Sequence, residues 1–184
     1  MSMFADSLDK AVQRAFTRPI PKTAGARMRY LVRQLKGTRA VAGLLGVSQR
    51  TVERYVREQI RKPRKDLAAR LEREVARRWQ PQIRAKARQT AATSGGIVID
   101  TRARLGYTAA PGTTDDARLR HLTVALPPHY AARLFTAQEQ GAPDQQLRQI
   151  AAEALQEIYF KDGGRRAAGL LVEYTDLEHI EFDL

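Results

Sequence analysis

Cysteine is absent from this chain of 184 residues, which excludes disulfides, thiolate metal ligands and a cysteine nucleophile. Histidine is scarce, and His121, His129 and His179 stand far apart without the spacing of metal ligands. We therefore expect no metal or other cofactor bound by the protein alone. The chain also lacks a phosphate loop, a Gly-x-Ser-x-Gly elbow and paired histidines at helical spacing. These absences argue against a self-contained enzyme.

Long apolar runs are missing as well. No uninterrupted apolar stretch approaches the length of a membrane span, and the first residues lack the basic and apolar segments of a secretion signal. The sequence predicts a soluble protein with no membrane partner, and the absence of cysteine suits a reducing cytoplasm.

Charge of one sign dominates the first half of the chain. Residues 1–90 hold 23 Lys and Arg against seven Asp and Glu, whereas residues 91–184 hold nine against 13. A basic half indicates binding driven by the neutralisation of phosphates. The charge sign changes near the small, polar segment 90–96, which we interpret as a linker. The predicted domains are therefore residues 1–92 and 93–184.

Residues 38–57 have the pattern of a helix-turn-helix. Ala42 is small where two helices cross closely, Gly46 can adopt the positive φ of a tight turn, and Ser48 can cap the second helix. The predicted buried face consists of Val41, Leu45, Val47, Val52 and Tyr55. The motif predicts duplex DNA as a partner, because the second helix of a helix-turn-helix enters the major groove.

Two sets of side chains are the predicted DNA contacts. The first set projects outward from the second helix of the motif, on the same face as Glu53, and consists of Gln49, Arg50, Arg54 and Arg57. The second set follows directly, has few acids to pair with, and is interpreted as a phosphate clamp: Arg61, Lys62, Arg64 and Lys65.

The predicted fold class is α+β, an all-helical helix-turn-helix domain followed by a mixed domain. Helices are expected around residues 8–16, 22–36 and 67–79, the last beginning near Pro63, and two more within 130–158. Strands are expected at 97–99 and 120–126, with a hairpin or strand pair over 170–184.

Two segments of the second half allow more than one interpretation. Asp115 and Asp116 could hold a metal, but a helix start capped by Thr114 is the stronger interpretation. Residues 122–160 resemble a ribbon-helix-helix module, which would give self-association through a strand, although a plain helical packing unit is the stronger interpretation.

The basic helix-turn-helix half, the segment Pro-Gly-Thr-Thr-Asp-Asp at 111–116 and the acidic, strand-ended half together resemble the telomere terminal proteins of linear actinomycete chromosomes and plasmids. This resemblance implies a protein that becomes covalently joined to the 5′ end of DNA and primes the synthesis that fills the recessed telomere. The priming residue would be Thr114, with Thr113 as the alternative.

The same resemblance implies the partners. A DNA polymerase would supply Mg²⁺ and add the first nucleotide from dCTP, and a telomere-associated protein that binds the single-stranded overhang would recruit the terminal protein. The chain would then be a substrate rather than an enzyme, located on the nucleoid at replicon ends. The alternatives are a helix-turn-helix transcriptional regulator and a DNA-organising or partition protein that self-associates.

Overall fold

The computed structural model describes residues 3–107, 116–163, 165 and 171–184. Its α-helices are α1 Met3–Arg14, α2 Ala24–Gln34, α3 Thr38–Leu45, α4 Gln49–Val56, α5 Lys65–Arg78, α6 Pro81–Thr90, α7 Pro128–Glu139 and α8 Asp144–Leu155. The strands are β1 Ile97–Tyr107, β2 Arg118–Leu126 and β3 Val172–Asp183, and two π-helical turns cover Ala91–Gly95 and Gln156–Phe160. The predicted α+β class is confirmed.

The chain forms two compact units. The helical unit is Thr17–Pro81, and the mixed unit combines Met1–Phe16 with Gln82–Leu184. In the described ranges no helix has the length and apolar character needed to cross a membrane.

The helical unit is built from α2 to α5 around one apolar cluster. The Thr23 hydroxyl caps α2 by accepting the Ala26 N–H at 3.2 Å, which satisfies one of the donors that a helix start leaves open. Fully buried side chains come from all four helices, so each helix contributes one apolar stripe to the shared core. They include Met28, Leu31, Val41, Leu45, Val52, Leu71 and Val75.

The mixed unit is a three-stranded antiparallel sheet with helices on one face. The strand order is β2-β1-β3, with Ile97 opposite Leu126 and Val98 opposite Asp183. Alternate β1 residues such as Ile99 and Ala103 are buried, whereas Arg102 and Arg104 lie on the exposed face. Helices α1, α7 and α8 share the core of this unit with the sheet.

The predicted boundary between residues 92 and 93 differs from the observed units at both ends. Helix α1 belongs to the mixed unit, where Phe4 and Leu8 are fully buried in the cluster that contains Phe182. An amphipathic stripe predicts a buried face but does not say which core that face joins. The chain passes between units at Phe16 and again at Pro81.

The predicted linker at 90–96 is also wrong. Helix α6 runs to Thr90 and continues as the π-helical turn, and Ala91 is buried against the core that includes α7. A Cβ atom at Gly96, where φ is 72°, would lie 2.3 Å from the Leu126 carbonyl oxygen. Small residues at this position therefore allow close packing and do not mark a flexible connection.

Two further expectations are corrected. The C-terminal alternation forms one strand with a bulge opposite Arg102–Arg104, where Asp176 takes a φ of 48°, and not a hairpin. Asp116 precedes β2, so no helix starts there. Residues 122–160 act as a packing unit, since β2 pairs with β1 of its own chain and α7 and α8 share its core, and self-association through a strand stays a prediction.

Candidate nucleic-acid interface

The turn between α3 and α4 has the predicted local geometry. Gly46 lies in the left-handed region at φ 61° and ψ 42°, and its N–H caps the end of α3. The Ser48 hydroxyl accepts the Thr51 N–H at 3.2 Å and also lies 2.8 Å from the Thr51 hydroxyl. Since this turn and cap fix where α4 begins, they fix which α4 side chains point outward.

One face of α4 is buried and the opposite face is exposed. Val52 and Tyr55 enter the core together with Val41 and Leu45 of α3, and Val47 is half-buried. The predicted contact residues Gln49, Arg50, Arg54 and Arg57 are all exposed. Gln49 donates to the Glu53 carboxylate at 2.9 Å.

Three of the five acids of the helical unit pair with arginines other than those of α4. Residues 17–81 contain 18 Lys and Arg but only five Asp and Glu, a net charge of +13. The observed ion pairs are Arg27–Glu72, Arg29–Glu58, Arg77–Glu74 and Arg78–Glu74. Arg50, Arg54 and Arg57 have no ion-pair partner among the described residues, so their charges remain available to a ligand.

The second predicted set lies between α4 and α5. Arg61, Lys62, Arg64 and Lys65 are exposed, and none has an ion-pair partner in the described part of the chain. Helix α5 begins at Lys65 rather than at Pro63, and Arg64 occupies its N-cap position without a side-chain capping bond. Cations at a helix start oppose the helix dipole, so local helix stability does not explain this placement.

Sequence reasoning gave no role to Arg70 or Lys22. Arg70 of α5 reaches the turn, because a Cβ atom on Gly46 would lie 3.1 Å from an Arg70 terminal nitrogen. Lys22 is exposed immediately before the α2 cap and lines the same cleft as Arg61 and Lys62. Spacing along the chain could not show either contact, since both join separate elements.

The predicted priming residues Thr113 and Thr114 lie outside the described residues. The described strands on either side are paired as far as Leu105 opposite Arg118. Arg120 donates to the Leu105 carbonyl at 2.9 Å and to the Asp116 carbonyl at 3.0 Å, and its guanidinium lies 5.2 Å from the centre of the Phe160 ring. These contacts join β1, β2 and the second π-helical turn at one end of the sheet.

Two histidines that are distant in sequence meet on the exposed sheet face. His121 and His179 lie 3.2 and 3.5 Å from the Asp100 carboxylate, which also accepts the Thr123 hydroxyl at 2.5 Å. The hydrogen bond from Thr123, followed by the interactions with the histidines, holds the pKa of Asp100 below its ordinary value. In the described part of the chain, no group of three or more His, Asp or Glu side chains has the arrangement needed to hold a metal ion.

The mixed unit is nearly neutral. It contains 14 Lys and Arg and 15 Asp and Glu, because α6 brings three basic residues that the linear division gave to the first half, while α1 brings equal numbers of acids and bases. Arg84 and Arg88 of α6 bind Asp9 of α1. The positive charge of the protein is therefore concentrated in the unit that carries α3 and α4.

Comparison of the chain with known protein families, with curated proteins and with solved structures gives no match.

Proposed function

We propose that the protein binds DNA ends through α3 and α4 and is joined through a threonine hydroxyl to the 5′ end, as the primer for end-patching synthesis and the cap of a linear replicon. The observation that carries the proposal is the exposed set Arg50, Arg54 and Arg57 on α4, which has no acidic partner among the described residues. Such a set, beside the basic segment 61–65, supports duplex binding.

The two predicted sets have different chemical tasks. Gln49, Arg50, Arg54 and Arg57 lie on the helix that enters the major groove in this motif, where amide and guanidinium groups recognise base edges. Arg61, Lys62, Arg64 and Lys65 flank that helix, so they are placed to bind phosphates and to fix its register.

Covalent priming needs an alcohol, and the resemblance assigns that task to Thr114, or to Thr113. Its oxygen attacks the α-phosphorus of dCTP, the new oxygen–phosphorus bond forms, and pyrophosphate leaves with the electrons of the broken bond. The polymerase supplies the Mg²⁺ ions that activate the hydroxyl and stabilise the leaving group. The chain is thus the substrate of the polymerase, and the overhang-binding protein is the proposed recruiter.

A labelling experiment tests this proposal. The full chain is incubated with labelled dCTP, Mg²⁺ and the cognate polymerase, and label that survives denaturation is measured. We expect labelling of the unchanged chain, none for Thr114→Ala, and normal labelling for Thr175→Ala, which removes an exposed threonine from β3.

Each other outcome has a definite meaning. Labelling that persists in Thr114→Ala but disappears in Thr113→Ala moves the priming residue by one position. A chain that binds duplex DNA yet never acquires label contradicts the priming proposal and favours the transcriptional regulator, which needs the same α3–α4 geometry. Footprinting at internal sites rather than ends would support that alternative.

A further inference from the structure

The helical unit contains a cleft of about 720 Å³ between the start of α2 and the segment that joins α4 to α5. This volume falls within the roughly 300–1,000 Å³ typical of small-molecule sites. Glu58, two residues beyond the end of α4, lines the cleft, so the cleft adjoins the C-terminal end of the helix that carries the DNA contacts.

The cleft is lined by apolar side chains along one side. Ile60, Pro63 and Ala68 are half-buried there, and Leu71, which also lines the cleft, is buried. A flat apolar group can cover such a surface, whereas a phosphate backbone alone would leave it exposed to water.

Cations stand at the edge of the same cleft. Lys22, Arg61 and Lys62 are exposed and have no ion-pair partner among the described residues. The other charges there are engaged, since Arg27 donates to the Pro21 carbonyl at 2.7 Å and Glu58 binds Arg29. The edge therefore favours an anion, and an apolar lining with a cationic edge matches a base and its phosphate.

We propose that this cleft binds an unpaired nucleotide of a DNA end, with the base against Ile60, Pro63 and Ala68 and the phosphate at Lys22, Arg61 and Lys62. The inference rests on the proposed binding of DNA ends by α4. A paired base is stacked on its neighbours and cannot present its face to the cleft, whereas an unpaired base costs little to insert. Apolar contact with each base is the usual source of affinity in single-strand sites.

The test uses the full chain and one labelled duplex in three forms: blunt, with two unpaired 3′ nucleotides, and with the same two positions lacking their bases. Binding is measured by fluorescence anisotropy. We expect about tenfold tighter binding of the unpaired form than of the blunt form, and no such preference when the bases are missing.

A matched pair of variants locates the effect. Ala68→Phe fills the cleft and should abolish the preference while leaving blunt-duplex affinity unchanged. Ala69→Phe places the same ring on the exposed neighbouring position of α5 and should keep the preference. Lys22→Ala, a surface change that spares the core, should reduce the preference several-fold and keeps the test valid if Ala68→Phe fails to fold.

Equal affinity for the three DNA forms, or an undiminished preference in Ala68→Phe, would overturn the proposal. Binding of a labelled polyglutamate peptide that Ala68→Phe alone abolishes, without any preference for unpaired ends, would assign the cleft to an acidic polypeptide instead. These measurements are affinities, so they do not depend on covalent labelling. A lack of covalent label would refute priming but would not affect the cleft proposal. A lack of duplex binding would refute the proposed function itself.

Discussion

Two glycines of the helix-turn-helix differ in whether the backbone requires glycine at their positions. Gly46 lies at φ 61°, where a side chain is strained, and a Cβ atom would lie 3.1 Å from Arg70. Gly43 lies inside α3, and a Cβ atom there would meet nothing within 4 Å. The first glycine is required by backbone geometry, whereas the second only weakens the helix.

We therefore predict opposite effects of the same substitution. Gly46→Ala should lower the free energy of unfolding by about 1 kcal/mol or more, and Gly43→Ala should raise it by about 0.5–1 kcal/mol. Urea unfolding followed by Trp79 fluorescence measures both, because Trp79 is the only tryptophan and packs on the core of the helical unit. Equal changes at the two positions would contradict the assigned roles.

For single residues, the sequence predicts the features that depend only on local backbone geometry. Gly46 and Ser48 act within one turn, and both are found in their predicted roles. The meeting of Asp100, His121 and His179 depends on the register of three strands, which the pattern of any single strand does not contain.

Among the elements, α1 is the one whose location differs most from expectation. Phe4 is fully buried, with ring centres 6.1 Å from Tyr174 and 6.2 Å from Phe182, both on β3. The sequence shows that α1 has an apolar face but gives no measure of which core will cover it.

This location predicts where a core substitution acts. Phe4→Ala should destabilise the mixed unit by about 3–5 kcal/mol and increase amide hydrogen exchange in β3, while exchange in α2 to α4 stays unchanged. Met28→Ala, a fully buried change of the helical unit, should do the reverse. Loss of protection in α3 and α4 on Phe4→Ala would show that α1 belongs with the helix-turn-helix after all.

Strand β1 shows a second reason why the sequence predicts an element only in part. Only Ile97–Ile99 reads as apolar, yet the strand continues to Tyr107. Beyond Ile99 its exposed side carries Asp100, Arg102 and Arg104, which pair with residues of neighbouring strands. Polar alternation across an exposed face lowers the apolar signal without weakening the strand.

For the whole molecule, net charge is divided less sharply between the folded units than between the linear halves of the chain. The linear halves carry +16 and −4, whereas the two units carry +13 and −1. The mixed unit is thus less negative than the linear count suggests, because the three basic residues of α6 fold with it, whereas α1 adds no net charge. The sequence alone locates the basic region, but it does not show which helices fold together with that region.

This division predicts the salt dependence of DNA binding. The affinity should fall linearly on logarithmic axes as salt rises, and Arg61→Ala should reduce the magnitude of the slope by about 1. Arg50→Ala should cost about 1–3 kcal/mol on the preferred sequence and less on others. Arg102→Ala serves as the control, since this exposed β1 arginine binds Glu178 in the mixed unit. An equal change of slope for all three variants would contradict the assignment of DNA binding to the helical unit.

The position of α1 also has a consequence for how the protein is made. The helical unit is complete once residue 81 has been synthesised, so it can fold while the rest of the chain is still on the ribosome. The mixed unit cannot close at that stage, because the Ser7 hydroxyl accepts the N–H of Phe182, 175 residues later. A nascent chain would therefore acquire its basic, α4-bearing unit first and bury α1 only after β3 has been made.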